Sequence, residues 1–96
     1  MLTAPRLQDF AQYHDASFRV LEAAYYELKL VELTDHSNAQ LEQFSLVFTC
    51  PTLPWLTQGT YTLVHPDMDE VVLFLVPIGP INKQMRYESV FSRFSR

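Results

Sequence analysis

The side chains in this sequence with chemical potential are three histidines with acids close by and one cysteine. His14 precedes Asp15, His36 follows Asp35, and His65 stands shortly before Asp67. An imidazole beside a carboxylate can move protons or hold a metal, because the carboxylate fixes the ring's tautomer and orientation. The spacing here argues against both roles. No pair falls at the Cys and His intervals of a zinc site, and His36 and His65 lie among turn formers, where Asp and His cap backbone groups. Cys50 would need a histidine or other positive neighbour to become a nucleophile. It instead continues the alternating row Phe44, Leu46, Phe48, which marks a buried, inert thiol. No serine sits in a Gly-x-Ser-x-Gly elbow, and two isolated glycines, Gly59 and Gly79, do not make a phosphate-cradling loop. The expectation is a chain that is not an enzyme, with no catalytic residues, no metal and no cofactor.

The segment Pro51-Thr52-Leu53-Pro54-Trp55-Leu56 carries large apolar side chains between turn residues. Such a loop either folds over an open end of a sheet or presents a contact surface, and Trp is a frequent anchor of contact surfaces. Leu53, Trp55 and Leu56 are the expected interaction surface. Tyr25, Tyr26, Tyr61 and Tyr87 offer a different possibility, a small-ligand site inside a curled sheet. Small barrels, however, are filled by their own side chains.

These residues need elements to position them. Leu7, Phe10, Ala11 and His14 recur at helical spacing, with Thr3 as cap and Pro5 in the first turn, which predicts a short helix over about 5–15. From Phe18 on, the period falls to two. Strands are predicted at about 18–21, 25–33, 43–50, 60–65, 70–77 and 85–94, with a β-bulge near Leu30 and Val31, where the alternation changes phase. Pro51 to Gly59 and Pro77 to Lys83 read as loops, and His65 to Asp69 as a turn. The run Val71 to Val76 is apolar on both faces and is expected to lie between the sheet interior and the helix. The fold class is mainly β: six antiparallel strands in an up-and-down sheet, curled into a barrel or two-layer sandwich and covered by one N-terminal helix. No connection after the helix is long enough for a parallel crossover.

The chain of 96 residues suits a single domain spanning 1–96. Its apolar fraction of 48% and charged fraction of 19% are those of a folded protein. The net charge of -4 is uneven, since Glu32, Asp35, Glu42, Asp67, Asp69 and Glu70 occupy a stretch without Lys or Arg. Lys83, Arg86, Arg93 and Arg96 then face only Glu88. So short a basic stretch is thin support for nucleic-acid binding, and it is expected to pair with acidic strands. Neither a secretory signal nor a membrane helix is legible; with one cysteine, this places the chain in the cytoplasm. The uncharged rows Ser45, Val47, Thr49 and Thr60, Thr62, Val64 suggest faces or edges that pair. A protein partner or homo-oligomer is expected, with opposite charges steering opposite ends together.

The segments Phe44-Ser45-Leu46-Val47-Phe48, Gln58-Gly59-Thr60-Tyr61, His65-Pro66, Leu73 to Pro77 and Arg86 to Phe91 resemble a family of short uncharacterised bacterial proteins. Some of its members lie near phage-tail-like genes. The resemblance spans nearly the whole chain and implies the fold, together with a role in an assembly, but transfers no catalytic residue.

Overall fold

The structure, a computed structural model, describes residues 10–94. Six strands follow one another: β1 (Ser17–Val20), β2 (Glu27–Asp35), β3 (Leu41–Cys50), β4 (Gly59–His65), β5 (Met68–Ile81) and β6 (Gln84–Phe94). All pairings are antiparallel, and the single sheet closes on itself in the order β1-β2-β3-β6-β5-β4. Alternation explains what the closure encloses. Phe18 and Val20, Leu28 and Leu30, Phe44 to Cys50 at every second residue, Leu63, Val71 to Leu75 at every second residue, Met85 and Tyr87 all point inward and are buried.

The order is not up-and-down. β3 pairs with β6 instead of β4, and β4 pairs with β1. The chain thus forms two three-stranded meanders, β1 to β3 and β4 to β6, with the segment 51–58 crossing one end between them. The two prolines and three large apolar side chains of that crossing suit a span over the core better than a tight hairpin.

Register slips between Leu30 and Glu32, so Val31 bulges where the sequence loses phase. Further slips occur between Leu63 and His65 and between Pro77 and Gly79. At the last of these Gly79 adopts φ 111°, which a side chain would strain. β5 therefore does not end at Pro77. It continues through Pro77, Gly79 and Pro80 to Ile81 and turns only at Asn82 and Lys83, whose φ values of 53° and 66° match a primed hairpin turn. The reading of Pro77 to Lys83 as a loop is corrected for a physical reason: β4 pairs with β5 only as far as Leu75, so the rest of β5 has one free edge and tolerates missing N–H groups.

The expected N-terminal helix is not supported. Its residues 5–9 lie outside the described residues, only Phe10 and Ala11 are helical among those described, and the chain then closes turns, with Tyr13 N–H donating to Phe10 O at 2.9 Å and Ala16 N–H to Tyr13 O at 2.9 Å. Asp15 then takes φ 68°, which ends helical backbone. Among the described residues no helix covers β5, and Val72 and Phe74 on its outer face are 57% and 51% exposed. The expectation that both faces of this strand are sheltered is overturned. The outward row Ser45 and Val47, expected to be free for pairing, is instead buried on β3, between Thr34 and Glu32 of β2 and Val90 and Glu88 of β6.

Candidate functional site

Closure gives the molecule two ends, and local chemistry finishes each differently. One end gathers the β2–β3 turn, the β4–β5 turn and the segment 10–16. Phe10 is fully buried there, 6.4 Å from Phe44 and 6.1 Å from Phe91 between ring centroids, and Phe44 stacks on Phe91 at 4.8 Å. Tyr13 sits edge-on to His65 at 4.8 Å and donates its hydroxyl to Asp67 O at 2.8 Å. The sequence-predicted helix residue Phe10 is thus an end plug.

The three histidines of this end serve separate local structures. His14 Nε2 contacts Val31 O at 2.9 Å, and its Nδ1 lies 3.5 Å from Asp15. His36 Nε2 meets Ser45 Oγ at 3.4 Å. His65 Nδ1 accepts the Asp67 N–H at 3.1 Å and so closes its own turn. Asp35 likewise accepts the Ser37 N–H at 2.9 Å, which holds its carboxyl below the ordinary carboxylate range. Among the described residues no three His, Cys, Asp or Glu side chains group as metal ligands. Cys50 is a fully buried free thiol.

The opposite end holds the crossing segment 51–58, the β1–β2 turn and the β5–β6 hairpin. Three tyrosine hydroxyls fasten the crossing segment by its backbone. Tyr26 donates to Pro54 O, Tyr61 donates to Thr57 O at 2.7 Å, and Tyr87 accepts the Leu56 N–H at 2.9 Å. Leu56 drops into the core, Trp55 packs partly against it, and Leu53 stays 68% exposed. The predicted contact trio is therefore divided between an anchor, a shoulder and an exposed tip. The tyrosines singled out for a ligand interior are engaged otherwise: three hold the segment, and Tyr25 is 89% exposed. Burial pushes the Tyr87 hydroxyl above its ordinary value.

Beside this segment the β5–β6 hairpin has an open edge along β5, which β4 leaves at Leu75 while β6 stays paired to β3 as far as Met85, and its turn with the Ile81–Gln84 pair extends past Cys50. Its exposed side chains include Ile78 and Ile81, and Lys83 at the turn. Arg86 braces the hairpin, donating from Nε to Gly79 O at 3.2 Å. Of the basic residues expected to pair with acidic strands, Arg86 braces the hairpin backbone instead, whereas Arg93 stands opposite Glu42 of β3 in register. The prolines of the hairpin read as a loop; the signal that could have revealed it is the Asn82-Lys83 pair after Ile81, with Met85 and Tyr87 alternating beyond it.

The β1–β2 turn is tied to β4 by Glu22, whose carboxylate accepts the Thr62 N–H at 2.8 Å and the Thr62 hydroxyl at 2.7 Å. These bonds hold the Glu22 pKa below its ordinary value. A depressed carboxylate contributes stability above its unfolded pKa and loses it as pH falls through the folded one. Glu22→Gln is accordingly expected to lower the unfolding midpoint slightly at neutral pH. The gap from the parent should close in acid, as measured by thermal melts across pH; a gap constant down to strong acid would contradict the assignment.

A family model described as a domain of unknown function (DUF6916) matches residues 5–91, and the chain belongs to that family. No curated protein and no solved structure matches it. Among the described residues no helix is long and apolar enough to cross a membrane.

Proposed function

We propose that this member of a family without an assigned activity is a non-catalytic protein-contact module, and that its contact surface is the end formed by the crossing segment and the β5–β6 hairpin. The observation that carries the reading is that exposed Leu53, Ile78 and Ile81, at 68%, 37% and 51%, stand at the same end of the barrel as the partly buried Trp55. Exposed apolar side chains held on a fastened segment and a braced hairpin lose little freedom on binding, which favours a contact role. Leu56 acts as the anchor that holds the segment down. Pro77 and Pro80 offer no N–H along the hairpin edge, so a partner is met through side chains rather than by strand addition. The resemblance to short bacterial proteins, some near phage-tail-like genes, adds the reading that the partner belongs to a bacterial or phage-derived assembly. A cytoplasmic setting suits the lone thiol of Cys50.

The rival reading, a small-ligand barrel, draws no support from the tyrosines, whose hydroxyls hold the crossing segment. A photo-crosslinker at position 53, in the chain expressed in its native cells, tests the proposal. A discrete adduct that disappears when Ile81→Asp is added is the expected result. Absence of any adduct, or one indifferent to Ile81→Asp, would overturn it.

A further inference from the structure

The long axis of the molecule and the longest strand point to what meets this surface. β5 spans 14 residues, and the body measures 42 Å in its longest dimension. Fourteen extended residues reach about 45 Å, so β5 runs nearly end to end. Before and at its start lie the exposed carboxylates Asp67, Asp69 and Glu70, and the same end of the barrel carries Asp15 and Asp35. At its other end the hairpin presents Ile78, Ile81 and Lys83. From Val71 to Tyr87 the chain has no carboxylate and two cations, Lys83 and Arg86, although the whole carries 11 acids against 7 bases. The hairpin tip is thus positive and apolar, while Glu22 and Glu27 lie at the β1–β2 side of the same end, and tip and acidic end stand too far apart to meet within one chain.

We infer that the occupant of the hairpin end is a second copy of this chain, docked head to tail so that Ile81 and Lys83 of one copy meet the Asp67, Asp69 and Glu70 end of the next. The inference rests on the contact surface proposed above. Opposite charges at opposite ends steer this orientation and disfavour like ends meeting. The contact joins two different surfaces, so each copy leaves one of each unfilled and the array extends into a ring or an open filament. The outer row Val72 and Phe74 lies on the side of the barrel and does not take part.

Sedimentation at rising concentration tests this. The average mass of the parent chain should climb, and climb less in high salt, because exposed charges are screened. Lys83→Glu and Ile81→Asp should each weaken association about tenfold or more, as should Asp69→Lys with Glu70→Lys, all with unchanged circular dichroism. A mixture of the Lys83→Glu chain with the Asp69→Lys, Glu70→Lys chain should regain the mass that each loses alone, because every head-to-tail contact between unlike chains again joins opposite charges, a rescue that head-to-tail contact requires. A strict monomer at high concentration would overturn the inference. Association abolished by Phe74→Glu but untouched by the end variants would overturn it as well. A crosslink from position 53 to a protein other than this chain would sink self-docking while leaving the contact surface itself standing.

Discussion

Phe48→Ala is expected to destabilise the fold by about 3–5 kcal/mol, the largest effect of any single change considered. Phe48 is fully buried in the last third of β3, with Leu30 of β2 opposite it on one side and Tyr87 of β6 on the other. Its ring lies edge-on to Phe18 at 5.9 Å. Truncation removes the transfer free energy of an aromatic ring and leaves a void that the surrounding strands cannot close, because their hydrogen bonds fix the spacing of a closed barrel. Domains of this size are stable by only about 5–15 kcal/mol, so the loss is a large share of the total. Denaturant unfolding gives the readout: a midpoint shift with an unchanged slope is the expected form. A loss under about 1 kcal/mol would mean that the interior can collapse around the gap.

Tyr87→Phe should cost about 1–3 kcal/mol although it deletes a single oxygen. That oxygen accepts the Leu56 N–H at 2.9 Å in a buried setting, and phenylalanine offers no replacement acceptor. The damage is expected to be local as well as global. Released at Leu56, the crossing segment should loosen at Trp55, and the indole should become more accessible to a soluble quencher than in the parent. Alkaline behaviour supplies a second signature. The phenol's pKa is raised in the folded chain, mainly by burial, so its contribution is present below the unfolded value and is lost as pH rises through the folded one. The phenylalanine variant should lack this share of the alkaline loss. Parallel pH-stability curves for the two proteins would count against burial of the hydroxyl.

Much of the barrel was legible because its determinants are local. The two-residue rhythm of Phe44, Leu46, Phe48 and Cys50 reads directly as one inward face, and the slip at Val31 shows where the alternation changes phase. What failed depended on neighbours distant in sequence. Pro77 and Pro80 are turn residues on composition, yet they are acceptable in β5 because no strand pairs on their far side. Val72 and Phe74 look like a second buried face, and nothing in their own segment says that the outside of the barrel leaves them exposed. What Phe10 packs on, Phe44 and Phe91, lies equally far along the chain, so its part as an end plug is invisible in its own segment. At the contact end, the apolar character of Leu53, Trp55 and Leu56 was visible. The division of labour among them was not, since the bonds that set it, Tyr26 to Pro54 and Leu56 to Tyr87, link residues 28 and 31 positions apart.

The strand order carries a consequence for how the chain holds together. Cut between β3 and β4, neither half could satisfy its own backbone: the first would expose the outer rims of β1 and β3, the second those of β4 and β6. Each seam joins one rim from either half, so the halves are mutually obligatory templates. The halves are therefore expected to fold together and not singly, and any partial opening along a seam offers sticky strands to a neighbouring molecule at the same moment that it opens the core.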